Sequence, residues 1–320
     1  MTTIAIIGGG IAARSLVYSL AKKNFPEKLL VFYSDNFAFP CSLHSTAIVA
    51  PRGISPGHSP LGDELVGGFE RFDRHVKEDR PEGVIKVRQS TGAITKMDEF
   101  KKRYPIGEMK DGVYFAEEDA YLIRPSEYMA WLLKEAQKNL DLEIIPHFVT
   151  EVKDKKITTQ DGKEFTADKI IFAAGVNNDL WSSLFSTPRK TKSAQGSYLE
   201  FTKADLGANS FSLTLEGDNL IYDADRKKLL IGSTTKESAL ELAPEKALKQ
   251  IYEDLSSRTS WQLPDFQTAI IRVGLREKGP KRESYILNEG HYSMIGGLYK
   301  NGYRLTLYLA EKLLSSLLPE

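Results

Sequence analysis

At 320 residues the chain is long enough for two domains sharing a substantial core, and its 43 Lys+Arg are balanced by 43 Asp+Glu, so no global charge draws it to nucleic acid or an anionic membrane. A single cysteine, Cys41, excludes an internal disulfide framework and a multi-cysteine metal site, and the five histidines show no metal-ligand spacing. No apolar run approaches the roughly 18 residues of a membrane helix, and the N-terminus lacks the basic flank of a signal peptide; the expectation is a soluble, cytoplasmic protein without a metal.

The first element is a short apolar strand, Ile4-Ala5-Ile6-Ile7, which runs into Gly8-x-Gly10-x-x-Ala13 and then a helical pattern from Ala12 to about Asn24. That spacing is the dinucleotide-binding fingerprint with Ala in its third position. Gly8 permits the tight turn, and Gly10 lets backbone approach a pyrophosphate. Ala12 and Ala13 open a helix that packs closely on the strand and offers its N-terminal N–H groups to the negative charge. The second strand, Lys28–Tyr33, normally ends on an acid for the adenosine ribose. Tyr33 stands there instead, followed by Ser34 and Asp35; Asp35 either takes the ribose role or is a turn residue.

A loop from Phe37 to Pro60, long enough to be functional, precedes a helix from Asp63 to Val76 with Leu65, Phe69 and Phe72 on one face. Strand patterns follow at Val84–Arg88 and Gly92–Lys96, then a helix at Glu127–Asn139 and short strands at Glu143–Ile145, Val149–Lys153 and Lys156–Thr158. Ile170-Ile171-Phe172-Ala173-Ala174-Gly175 reads as a buried parallel strand whose small-residue end lies close to a ligand. Strands at Ser197–Thr202, Ser212–Leu215, Asn219–Tyr222 and Lys228–Ser233, a helix at Pro244–Ser257 and a strand at Ala269–Leu275 make up a further block. Strand Tyr292–Gly296, a glycine-bounded turn Gly297–Gly302 and helix Tyr303–Leu317 close the chain. The pattern predicts an α/β fold: a Rossmann-like cofactor domain from residues 1–80, 120–190 and 283–320, with a mixed, largely antiparallel sheet domain inserted from 81–119 and 191–282.

Five segments in this order resemble the FAD-dependent oxidases of the D-amino-acid oxidase family, above all its glycine oxidases. They are Gly8-Gly9-Gly10-Ile11-Ala12-Ala13, Ile171-Phe172-Ala173-Ala174-Gly175-Val176, Leu229-Leu230-Ile231-Gly232-Ser233-Thr234, Gly274-Leu275-Arg276 and Gly297-Leu298-Tyr299-Lys300-Asn301-Gly302. A nicotinamide dehydrogenase has no use for the last four. The chain is also similar to the FAD domain of the bifunctional tRNA wobble-uridine methylaminomethyl-2-thiouridine synthesis protein, whose loop leads into a proline as Ile48-Val49-Ala50-Pro51 does.

The resemblance implies FAD as cofactor and, as reaction, hydride transfer from an amine Cα–H to flavin N5, hydrolysis of the imine, and reoxidation of the flavin, usually by oxygen. It makes Arg276 the anchor for a substrate carboxylate, against the reading of a solvated arginine beside Lys278 and Lys281; Arg272 is the fallback. Tyr222 either adds a hydroxyl to that carboxylate or packs in the sheet. Gly297, Tyr299, Lys300, Asn301 and Gly302 would meet the flavin pyrimidine ring, with the following helix stabilising negative charge there. Lys300 also stands where the family often has an arginine lining the active site. Ala174, Gly175 and the main chain of Val149 would lie along the cofactor. Ser45 and Thr46 are hydroxyl donors to it or loop caps. His44 is a polar loop residue or, as in some related dehydrogenases, a covalent flavin attachment point. The implied partner is a small-molecule amine. A tRNA substrate would draw on Lys101-Lys102-Arg103 and Lys278–Arg282, and a flavin-binding partner or maturation protein with little turnover is a third reading.

Overall fold

The computed structural model describes residues 2–36, 39–51, 59–95, 97–104, 106–110, 112–237 and 244–317. Parts of the loop expected from 37 to 60 (37, 38 and 52–58) and residue 96 of a predicted strand lie outside them. The first sheet grows from the opening strand. β1 (Ile4–Ile7) is followed by α1 (Ile11–Lys22) and β2 (Leu29–Phe32), and β1 pairs in parallel with β2 in register, Ile4 opposite Leu29. Next in the chain are β3 (Ile48–Val49), α2 (Pro60–Asp79), β4 (Val84–Ala93), α3 (Met97–Arg103), β5 (Glu108–Lys110), β6 (Val113–Ile123) and α4 (Pro125–Gln137). The central part holds β7 (Leu142–Ile145), β8 (Val149–Lys153), β9 (Lys156–Thr159), β10 (Glu164–Thr166), β11 (Lys169–Phe172), β12 (Lys192–Phe201), β13 (Phe211–Leu215), β14 (Asp218–Asp223) and β15 (Lys228–Glu237). α5 (Glu245–Arg258), β16 (Ile270–Lys278), β17 (Tyr285–Glu289), β18 (Tyr292–Gly296) and α6 (Gly302–Leu317) complete it.

The first sheet has the order β17-β18-β11-β1-β2-β7, parallel throughout except for the antiparallel edge strand β17. The period-2 alternation of a strand sorts its two faces. Ile4 and Ile6 pack with Leu16, Leu20 of α1 and Leu305, Leu309 and Leu313 of α6. Ala5 and Ile7 face the other way, onto Val152 and Ile157 of the small β8–β9–β10 sheet and onto Trp181 in the 3-10 segment that follows β11. Both faces are covered, which is why β1, β2 and β11 read as unbroken apolar runs.

The larger sheet has nine strands, in the order β16-β12-β15-β14-β13-β4-β6-β3 with β5 paired to β6. β3 and the end of β6 come from stretches of sequence grouped above with the cofactor domain, yet they hydrogen-bond within this sheet, Ile48 opposite Leu122. Two strand patterns expected over 84–96 form one ten-residue strand, β4. Its partner β6 had no strand signal because Glu117, Glu118 and Asp119 interrupt the apolar alternation. In the antiparallel register Asp119 faces Arg88, with Nη1 donating to Oδ1 at 2.8 Å, and Glu117 faces Ser90. The core of this half is Leu199, Phe201, Leu213, Leu220, Leu229 and Ile231, covered by Leu248 and Leu255 of α5. Among the described residues no helix is long and apolar enough to cross a membrane.

Candidate active site

The turn between β1 and α1 is free of side chains for a steric reason. Gly8 has φ +137°, and a Cβ there would lie 2.3 Å from the carbonyl oxygen of Ala173. A Cβ on Gly9 would strike the Tyr33 ring at 2.5 Å, and one on Gly10 would reach Ser42 Oγ at 2.9 Å. The first turn of α1 carries no acid, and its cap residue, Gly10, makes no side-chain hydrogen bond. The helix therefore presents its positive end and bare backbone, a combination suited to phosphate. Ser42 accepts the Ile11 N–H at 3.1 Å and its carbonyl accepts the Tyr303 hydroxyl at 2.6 Å, which draws the loop after β2 against the turn.

A cavity of about 390 Å³ runs from this turn. Gly8, Gly9, Gly10 and Ala12 line it, with Ser34 and Asp35 at the end of β2, Val149 at the start of β8, and Ala174 and Gly175 at the end of β11. Arg14 lines it too; its guanidinium lies 5.4 Å from the Tyr33 ring centre and its Nε donates to the Gly9 carbonyl at 3.0 Å. A second cavity, of about 420 Å³, shares Ile11, Cys41, Ser42, Arg276, Tyr299 and Gly302 with the first, so the two form one bent cleft. Its further lining includes Ser45, Thr46, Gln89, Thr214, Asn219, Lys300, Asn301 and Arg304.

Arg276 stands at the junction. It comes from β16, and Nη1 is buried with no hydrogen-bond partner among the described residues. Burial pushes its guanidinium pKa down, as expected for a desolvated cation. Lys300 is likewise pushed down, first by burial and then by Arg276 and Arg282. Cys41, at the same junction, has its thiol pushed up by burial, with Arg276 opposing. Next to Arg276, Glu277 is buried at 5% exposure and lines the first cavity. Tyr285 Oη donates to its Oε1 at 2.5 Å, and Oε2 receives Asn178 Nδ2 at 3.1 Å and the Gly297 N–H at 3.0 Å. Desolvation outweighs these donors and raises its pKa to about 7. Asn178 also accepts the Ala174 N–H at 2.9 Å and donates to the Ile295 carbonyl, so one amide pins the ends of β11, β16 and β18 together.

The family model for FAD dependent oxidoreductases (DAO) matches residues 3–315. The chain belongs to this family. FAD is its cofactor, and the protein is an FAD-dependent oxidoreductase. Solved structures with the same fold include iminodiacetate oxidase from Chelativorans sp. BNC1 (TM-score 0.79, 16% identity, 99% of this chain and 95% of that one). L-alpha-glycerophosphate oxidase from Mycoplasma pneumoniae with FAD bound superposes with TM-score 0.78 at 17% identity, over 99% and 95% of the two chains. Glycine oxidase from Geobacillus kaustophilus does so with TM-score 0.76 at 14% identity, over 98% and 94%. No curated protein matches the sequence. The residues present fit the cofactor: the glycine turn and the acid-free first turn of α1 suit the pyrophosphate, and the first cavity extends from that turn to Arg276, Tyr299 and Gly302.

Several sequence expectations are relocated by the structure. Tyr222 is 1% exposed in the core of the larger sheet; its hydroxyl points at the Ala204 carbonyl, 3.5 Å away, and it lines neither cavity. Its position on β14 turns it toward Phe211 and away from the cleft. Arg272 is paired with Glu200 at 2.8 Å, which removes the fallback anchor. His44 also lines neither cavity, and its Nδ1 lies 2.7 Å from the Val273 carbonyl. Ala13 is wholly buried between α1 and the sheet, and the Gly297 N–H is taken by Glu277, so both support the cleft from behind. Ser45 and Thr46 face the second cavity, and the hydroxyl at the glycine turn is that of Ser42. Arg14, Asn178, Glu277 and Arg304 went unread. Arg14 follows the fingerprint directly, four residues after Gly10, and that helical spacing was a usable signal; the others depend on contacts distant in sequence.

Proposed function

We propose that the protein oxidises a small amine that bears a carboxylate. The observation that supports this reading is Arg276: its side chain lines both cavities, one of its guanidinium nitrogens is buried without a partner among the described residues, and the described lining of the second cavity holds no carboxylate. A substrate carboxylate satisfies that fork through two parallel hydrogen bonds and restores the charge balance that burial disturbs. Bound FAD supplies the two-electron acceptor.

The chain's own residues do the rest. Arg276 holds the carboxylate at the bend of the cleft, which orients the carbon beside it toward the cofactor side. The cations Arg276 and Lys300 oppose a positive ammonium nearby and favour the neutral amine, the form able to give up hydride.

The test starts with the visible spectrum of the purified protein before and after acid precipitation. The expected result is a yellow protein whose flavin is released to the supernatant and is bleached anaerobically by sarcosine or glycine. A yellow protein that no amino-acid-like amine bleaches would overturn the proposal.

A further inference from the structure

We propose that the substrate carries two anionic groups, the second of them met by Arg304. This rests on reading the second cavity as the substrate site. Three cations reach that cavity from two elements: Arg276 from β16, and Lys300 and Arg304 from the turn and first residues of α6. Its described lining has no acidic side chain to neutralise them. One carboxylate accounts for Arg276. The cofactor's pyrophosphate belongs at Gly8–Gly10 in the other cavity, whose described lining includes neither Lys300 nor Arg304.

Lys300 and Arg304 are then left over, and Arg304 is the one with a forked set of donors. It is half-buried, and its Nη2 donates to the Ala50 carbonyl, which fixes the guanidinium against the β3 edge. That contact is to a neutral group. Burial draws its pKa down to about 10, and Glu118 and Tyr104 oppose this shift without cancelling it. Gln89, Thr214 and Asn219, linked by Gln89 Nε2 to Thr214 Oγ1 at 3.2 Å and Thr214 Oγ1 to Asn219 Oδ1 at 2.6 Å, bring further polar groups to the same cavity. A guanidinium recognises carboxylate and phosphate by the same forked geometry, so the second group is one of these two oxyanions.

Titration of the FAD-loaded protein with propionate, succinate and 3-phosphonopropionate, followed by perturbation of the flavin spectrum, tests the assignment without turnover. One or both dianions should bind at least roughly tenfold more tightly than propionate, and the tighter one identifies the second group as carboxylate or phosphate-like. Arg304→Met should bring the dianions to within about threefold of propionate, and Arg304→Lys should keep part of the preference. If Arg304→Met does not fold, the wild-type comparison still decides. Equal binding of all three acids by the wild-type protein overturns the second subsite. Anaerobic bleaching by sarcosine and by N-(carboxymethyl)glycine, run in parallel, separates the two readings. Dianion preference without bleaching rejects amine oxidation and keeps the subsite, and bleaching without dianion preference does the reverse.

Discussion

The guanidinium of Arg276 rests on the bare backbone of Gly196, so closely that a Cβ at 196 would sit 2.1 Å from Nη2. The two strands are antiparallel, with Gly196 opposite Gly274 and Ala194 opposite Arg276, and the arginine leans across that glycine pair. The atoms a new methyl group would meet are the far end of a long side chain, which can move.

Gly196→Ala is therefore expected to displace the anchor and spare the fold. The KM for a carboxylate-bearing amine should rise roughly tenfold to a hundredfold while the protein keeps its FAD. Steady-state kinetics alongside the flavin-to-protein absorbance ratio read both quantities. An unchanged KM would separate Arg276 from substrate binding.

Glu277 gives the cleft a pH dependence near neutrality. Its folded pKa, raised by burial to about 7, lies above the ordinary value of 4.5, so its contribution to stability is fully present below that ordinary value and is lost as pH rises to about 7. Above that pH an ionised carboxylate shares the cavity with the cofactor's pyrophosphate. FAD should bind the apoprotein less tightly as pH rises through 7, and Glu277→Gln, which imitates the neutral acid, should flatten the profile. Fluorescence titration of apoprotein with FAD across neutral pH measures it; a wild-type profile as flat as the variant's would show that Glu277 does not titrate there.

Arg124 at the head of α4 makes a two-pronged ion pair with Asp223 at the end of β14, at 2.7 and 2.8 Å. Asp223 is only 5% exposed. Removing the arginine alone leaves a carboxylate stranded in the interior, so Arg124→Met should cost about 3 kcal/mol or more in urea unfolding. Arg124→Met combined with Asp223→Asn should recover much of that loss, because the neutral amide needs no counter-charge.

His75 is wholly buried among Tyr18, Phe72, Tyr128 and Trp131, and its Nδ1–H donates to Asp79 at 2.8 Å. Nε2 has no partner among the described residues, consistent with the neutral ring. Desolvation lowers its pKa from 6.5 to about 4. The unfolded chain therefore takes up a proton first. Stability should hold above about 6.5 and decline as pH falls from there to about 4, by on the order of 3 kcal/mol. His75→Phe should remove that slope, as judged from denaturation midpoints measured on both sides of the window.

The sequence by itself determined the parts of this protein whose chemistry is local. A strand that must turn within a few residues and then expose helix N–H groups to phosphate needs Gly8, Gly10 and a small Ala13, and that need is written in consecutive positions. The buried strand ending in Ala173-Ala174-Gly175 was legible for the same reason, since backbone at a ligand excludes bulk. The cofactor followed from the order of such segments.

Tertiary structure decided which side chains meet in the cleft. Tyr222 and Arg276 are both strand residues of plausible chemistry. The packing of β14 against Phe211 and Trp261 buries the first, whereas the open floor at Gly196 aims the second into the cavity. Ser42 reaches the glycine turn across 31 residues, and Asn178 reaches Glu277 across 99. Such pairs arise from sheet register and loop docking. A one-residue slip in β16 would exchange Arg276 for Glu277 at the bend, and the amino-acid types alone do not specify that register.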